Sequence, residues 1–289
     1  MNYELISDSC SNLTDEMIEE CDVQILSLMV RAGNQEYYSY VKGKKTETKM
    51  FYDLMRGGTM LETSQLDMQN CREAFEEVLK QGKDILYLAF SSALSGTYNV
   101  ASLVAKELQE EYPERKIYVV DSLSASMGQG LLLYHGAQRR QAGASIEELR
   151  DWLLENRLHL CHWFTVDDLH HLKKGGRVSA TTALVGTMLG IKPVLHVDNE
   201  GRLINVGKAR GRNKSLDVLV DHMAETAIHP EEQIVFISHG DSLEDARYVE
   251  RQVRERLGVK EIRINYVDPV IGAHSGPGTI ALFYLGTHR

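Results

Sequence analysis

The chain has 289 residues, 43% of them hydrophobic and 25% charged, with a net charge of −9. That length exceeds what one hydrophobic core usually organises, so two domains are expected. A surface this acidic argues against nucleic acid or an anionic membrane as the main partner, and leaves any bound anion to be held by a local site.

The first half alternates apolar β-type runs with helical patterns. Strands are predicted over 3–7, 23–30, 84–90 and 116–121, with helices over 14–20, 46–55, 98–110 and 128–141. Asp67 is placed to cap a further helix whose apolar face is Met68, Cys71, Ala74, Phe75, Val78 and Leu79, with Gly82 as its stop. Strands alternating with helices imply a mostly parallel sheet covered on both faces. Ser145 and Glu148 have capping-box spacing and open a helix to about residue 156.

Beyond that helix the organisation changes. Residues 158–166 read as a strand, 167–174 as a helix ending at Gly175-Gly176, and 181–189 as a buried apolar helix. Strands 192–197 and 202–208 flank Asp198-Asn199-Glu200-Gly201, a hairpin signal. Helix 213–227, strand 233–238, helix 243–257 and strand 261–267 follow. The pattern predicts an N-terminal α/β domain over 1–157 and a C-terminal α/β domain over 158–289 with a mixed sheet, closely packed because no Pro, Gly or Ser linker separates them.

No basic segment followed by an apolar one opens the chain, so no signal peptide is expected. The longest near-continuous apolar run, 183–191, is far short of the roughly 20 residues that a spanning helix needs. Cys10, Cys21, Cys71 and Cys161 are scattered without a C-x-x-C pair, which fits reduced thiols in a cytoplasmic protein.

Four segments carry chemistry. At the switch from strand 84–90 to helix 98–110, Ser91, Ser92, Ser95 and Thr97 put hydroxyls beside the unpaired N–H groups of a helix start, a cradle for a small anion. Leu61-Glu62-Thr63-Ser64-Gln65 is a polar loop ahead of a helix. Lys173-Lys174-Gly175-Gly176-Arg177 is a basic helix stop. Gly272, Gly276, Pro277 and Gly278 surround His274 and let backbone approach a ligand closely. His159, His162, His170 and His171 lie close in sequence, but 159 and 162 fall on opposite faces of a strand-like run and no cysteine or carboxylate stands at zinc-ligand spacing, so no metal is expected. No dinucleotide or P-loop glycine pattern is present.

Thr63-Ser64-Gln65, Ser91-Ser92-x-Leu94-Ser95-Gly96-Thr97, Val120-Asp121-Ser122, Gly175-Gly176-Arg177 and Gly272-x-His274-x-Gly276-Pro277-Gly278 resemble, in order, the signature set of the DegV family, as does Ile6-Ser7-Asp8-Ser9 near the start. The resemblance implies a bacterial cytoplasmic fatty-acid-binding protein whose acyl chain lies buried between two α/β domains. It implies a carrier with no catalytic cycle or cofactor of its own, which presents the fatty acid to a separate kinase subunit. That partner phosphorylates the carboxylate to an acyl phosphate that feeds phospholipid synthesis. By the same resemblance, Thr63 and Ser95 correspond to the carboxylate-binding hydroxyls and His274 to the histidine beside the head group. Arg177 and Arg210 correspond to arginines near the head group or the kinase-facing surface. Leu66 departs from the family's usual proline after Thr-Ser-Gln, which removes a stiffening element from that loop.

The physics fits such a ligand. A carboxylate accepts up to four hydrogen bonds, and two hydroxyls with a histidine N–H supply three. At roughly 0.8 kcal/mol per buried methylene, a tail of about 15 carbons is worth on the order of 12 kcal/mol before ordering costs, so the tail supplies affinity and the head sets orientation. The run 183–191, with Ala180, Met188, Leu189 and Val194, is the expected tail lining. The rival reading is a serine hydrolase with Ser95 as nucleophile, His274 as base and Asp8 or Asp121 as orienter, although Ser95 does not stand in G-x-S-x-G. The cradle by itself also leaves open a binding domain for some other small acid.

Overall fold

A computed structural model of the protein describes residues 2–44, 46–167, 169–178 and 190–289. The predicted helix 181–189, and with it most of the expected tail lining, lies outside the described residues.

The first sheet is wholly parallel, in the order β2-β1-β6-β7: β2 (Gln24–Leu26), β1 (Tyr3–Asp8), β6 (Asp84–Ala89) and β7 (Ile117–Asp121). Period-two alternation sorts its side chains. Leu86 and Leu88 point to one face, and Ile85, Tyr87 and Ala89 to the other. The second face is covered by α3 (Met68–Lys80), through Cys71, Phe75, Val78 and Leu79, and by α4 (Thr97–Glu111), through Ala101, Val104 and Leu108. The caps behave as their spacing demands. The Asp67 carboxylate accepts from Asn70 N–H, and Ser145 with Glu148 forms a complete capping box at the start of α6 (Ile146–Asn156).

The second sheet has six strands in the order β10-β9-β8-β13-β11-β12: β10 (Leu203–Arg210), β9 (Ile191–Val197), β8 (Leu160–Thr165), β13 (Ile280–Leu285), β11 (Ile234–His239) and β12 (Glu261–Tyr266). It is mixed. β11 and β12 pair parallel, and the other neighbours pair antiparallel. α8 (Arg212–Thr226) and α9 (Leu243–Leu257) cover its outer face. The strands of the first sheet all precede residue 157 and those of the second all follow it.

Between the two sheets runs α5 (Met127–Gln141), buried continuously from Met127 to Tyr134. A helix buried all round has no solvent face on which to show an amphipathic stripe. Its glycines make that position possible. A Cβ on Gly128 would stand 2.8 Å from the Phe283 ring of the second sheet, and one on Gly130 would stand 2.4 Å from the Ser11 carbonyl of the first domain.

Three local expectations are corrected. The predicted strand 23–30 is two strands in different sheets. β2 pairs with β1, whereas β3 (Met29–Ala32) joins β4 (Gln35–Tyr38) and β5 (Leu61–Ser64) in a small antiparallel sheet. The break falls where Leu28 N–H donates to Ser9 Oγ and not to a ladder carbonyl. The polar loop expected at 61–65 is therefore largely strand β5. The glycine-rich segment around His274 begins as a helix, α10 (Pro269–Ser275), with Asp268 as N-cap and proline at its first turn. β13, not assigned from sequence, occupies the middle of the second sheet.

The hairpin loop 198–201 ties the domains together. Gly201 has φ +77°, and its carbonyl accepts from Ser91 Oγ at 2.9 Å. A Cβ there would meet that same oxygen at 2.3 Å. Gly201→Ala should therefore combine left-handed backbone strain with loss of this hydrogen bond, lowering stability by about 2–3 kcal/mol. Urea unfolding should show a lower midpoint with an unchanged slope.

Candidate functional site

A cavity of about 280 Å³ opens between the two domains. The first domain contributes Leu28, Phe90 and Leu94 to its walls, and the second contributes Phe164, Val270 and Ala281. Thr63, Ser95, Arg177 and His274 all line it. A larger hollow of about 580 Å³ lies elsewhere, and its walls carry Asp15, Glu16, Lys44, Glu47 and Lys49 beside Leu13, Ile18 and Ile25.

Each polar group reaches the first cavity by a different route. Thr63 sits on β5, where alternation turns Leu61 and Thr63 inward while Glu62 faces out and pairs with Arg31 across the strand. His274 occupies the last turn of α10, and its Nε2 shares a hydrogen bond of 2.9 Å with Thr63 Oγ1. Burial pushes the His274 pKa down to about 4, with the positive charge of Arg177 adding to the effect, so the ring is neutral near pH 7. The other ring nitrogen lies against Gly175, where a Cβ would come within 2.2 Å of Nδ1.

Arg177 follows the glycine pair that stops α7 (His170–Lys174). Its Nε donates to the Leu94 carbonyl at 3.2 Å, and its Nη1 donates to the Gly175 carbonyl. Burial lowers its pKa. Among the described residues it has no carboxylate partner, and its Nη2 has no hydrogen-bond acceptor. A half-buried guanidinium without a counter-ion makes this end of the cavity attractive to an anion.

The serine-rich turn is more structural than its composition implied. Of its four hydroxyls, only Ser95 lines the cavity. Ser91 is committed to Gly201, and Ser92 is exposed. Thr97 Oγ1 shares a 2.9 Å hydrogen bond with Ser95 Oγ and accepts from Leu66 N–H at 3.2 Å, which clamps the 63–66 segment onto the start of α4. Asp8 and Asp121 also hold backbone. Asp8 accepts from Phe90 N–H, Cys10 N–H and the Tyr87 hydroxyl, and burial pushes its carboxyl up to about 6. Asp121 accepts from Ser92 N–H and Leu123 N–H. Neither carboxylate bonds to His274 among the described residues, and Ser95 bonds to Thr97 and not to the ring, so a Ser–His–Asp relay is not assembled.

Arg210 stands apart. It is exposed at the end of edge strand β10, opposite Ile191, and does not line the cavity. Val194, expected in the tail lining, packs into the outer core with α8. His159 and His162 do not share a site. His159 precedes β8 and its Nδ1 shares a hydrogen bond with the Gly286 carbonyl, whereas His162 is on β8 and lines the cavity. The alternation of His162 with Phe164 was the signal that could have placed it there. No group of three or more potential metal ligands occurs among the described residues.

The fold has known counterparts. The family model described as "Uncharacterised protein, DegV family" matches residues 2–287. A DegV domain-containing protein of Clostridium perfringens is 46% identical over 284 residues, covering 98% of this chain and 97% of its own. The structure of a fatty-acid-binding DegV family protein from Thermus thermophilus is similar at a TM-score of 0.85 and 28% identity, covering 99% of this chain and 100% of its own. In fold, the chain is also similar to the Fatty Acid Kinase (Fak) B3 protein of Streptococcus pneumoniae loaded with linoleic acid, at a TM-score of 0.84 and 21% identity over 99% of both chains.

Two outcomes follow from this geometry. Gly175 has φ −73° and ψ −8°, which alanine adopts freely, so Gly175→Ala should leave the fold intact while pushing the His274 ring off Thr63. Nitrogen-15 spectra of the ring should then show the His274 resonances moved, with the remaining histidines unchanged. The His274 pKa also sets a pH dependence. The folded value of about 4 lies below the unfolded value of about 6.5, so acidification through that window protonates the unfolded chain first and removes stability. His274→Gln should make the fall in unfolding free energy between about pH 6.5 and pH 4 less steep.

Proposed function

The chain belongs to the DegV family, and on that premise we propose that it carries a long-chain fatty acid, with the carboxylate held at Thr63, Ser95 and Arg177 and the tail in the interdomain cavity. The observation that carries this reading is the Arg177 guanidinium, without a carboxylate partner among the described residues, beside the Thr63–His274 pair at a cavity whose other walls include Leu28, Phe90, Phe164 and Val270. An anionic head with an apolar remainder satisfies both halves of that site, whereas a small polar acid would leave the apolar walls wet.

The proton arrangement follows from the neutral imidazole. With a proton on Nε2, His274 donates to Thr63 Oγ1 and frees the threonine hydroxyl to donate to the carboxylate. Ser95 Oγ supplies a second donor and Arg177 Nη2 a charged one. His274 is thus a positioning residue for the ground state, set beside the oxygen that would accept a phosphoryl group. No residue acts as a nucleophile in this reading; a separate kinase subunit performs the transfer to form the acyl phosphate for phospholipid synthesis. Arg210 belongs on the surface that meets this kinase. The protein works in the cytoplasm in this reading, where its four buried, unpaired cysteines stay reduced. Among the described residues, no helix is long and apolar enough to cross a membrane.

Organic extraction of the protein purified from cells should release a stoichiometric long-chain fatty acid, and oleate added to delipidated protein should raise its melting temperature. If neither occurs, the carrier reading fails. Thr63→Val should weaken oleate binding roughly tenfold by removing a hydrogen bond to a charged group. Arg210→Ala should bind oleate normally yet be phosphorylated poorly. A protein that is covalently labelled at Ser95 by a fluorophosphonate would point to a hydrolase.

A further inference from the structure

His162 is not used by the head-group site. It lies on β8 directly opposite Phe283 of β13, one inward-facing pair beyond Phe164 and Ala281. Both pairs are on the face turned to the interdomain core. Thr279, which lines the same cavity, precedes β13 and accompanies the Ser275–Gly276 turn at the head-group end. The strand distance from Thr279 to the level of His162 is four residues, roughly 13 Å at about 3.3 Å per residue. His162 therefore meets the tail of a bound chain and not its head.

The surroundings of the ring are aromatic. The Phe283 ring centre lies 4.4 Å away and that of Phe164 lies 5.4 Å away. Burial drives the His162 pKa well below 6.5, so the ring is neutral and presents one N–H donor and one bare nitrogen acceptor. Its Nδ1 is buried without a partner, and no other hydrogen bond to the ring occurs among the described residues. With Nδ1 sealed, Nε2 is the edge that the cavity contents can reach. A plain hydrocarbon tail leaves Nε2 without a partner among the described residues, a cost that buried polar groups in folded proteins rarely carry.

We propose that His162 is a second polar anchor, and that the acyl chain this cavity selects bears a mid-chain hydroxyl that hydrogen-bonds to His162 Nε2. A hydroxyl suits either tautomer because it both donates and accepts. This inference rests on the fatty-acid reading above and narrows it to hydroxylated long-chain acids.

The test uses delipidated full-length protein, with stearate and a panel of its mid-chain monohydroxy derivatives as probes. At least one hydroxylated isomer should bind the parent protein as tightly as stearate or more tightly. In His162→Phe, which matches the aromatic surroundings, the affinity of that isomer relative to stearate should fall roughly tenfold. His162→Gln, which keeps a donor and an acceptor, should restore part of the preference. Nitrogen-15 spectra of the unsubstituted protein keep the question open to test if a variant does not fold: the His162 resonances should shift on adding the hydroxylated acid and not on adding stearate. If stearate binds while every hydroxylated isomer is weaker by the same factor in the parent and in His162→Phe, the anchor is overturned and the carrier reading stands. If neither class of acid binds, both fall.

Discussion

The hydrogen bond between Thr63 and His274 is the contact on which the site depends. It joins residues 211 positions apart, one on a small antiparallel sheet of the first domain and one at the end of a short helix of the second. It holds only if both domains are folded and packed at a set distance. The glycine at 175 gives the imidazole room on its other side, and the clamp from Thr97 to Leu66 fixes the strand end that carries the threonine. The geometry of this contact is therefore a property of the interface and not of either half.

The same interface explains why polar groups are buried here at a cost. Ser126 of the first domain bonds to Ser238 of the second, Asn265 donates to the Asn12 carbonyl, and the Tyr52 hydroxyl donates to the Val267 carbonyl. These bonds are satisfied within the protein and specify how the domains meet. Arg177 and His162 are different. Among the described residues, Arg177 Nη2 has no acceptor and His162 Nδ1 is buried without a partner. Motifs rich in serine and aspartate turn out to divide along this line. Asp8, Asp121 and Ser91 hold the loops at the carboxyl ends of the parallel strands, and Ser95 alone of the serine turn reaches the cavity. Ligand sites commonly form at that edge of an α/β sheet because such loops converge there.

Legibility from sequence followed the range of the interactions involved. β6 reads as an unbroken apolar run because parallel strands are covered on both faces, and α6 announces itself through a capping box whose members are three residues apart. β4, with the sequence Gln-Glu-Tyr-Tyr, lacks alternation because it lies at an edge with little to bury, and it went unseen. α10 was hidden by glycines that suit its close packing: a Cβ on Gly272 would stand 2.6 Å from the Tyr52 hydroxyl. The single run 23–30 became two strands because Ser9, far away in sequence, captures the Leu28 amide.

By itself the sequence determined the α/β class and most ends of the described helices, since periodicity, caps and motifs act over a few neighbouring residues. The resemblance of its spaced motifs also pointed to the family. Tertiary structure alone decided that β13 takes the centre of the second sheet, that Thr63 and His274 touch, that Arg210 stays outside the cavity and that His162 comes to line it. Those outcomes turn on register and domain packing between segments tens to hundreds of residues apart. No local pattern encodes such contacts, because their free energy is realised only when the whole interface closes.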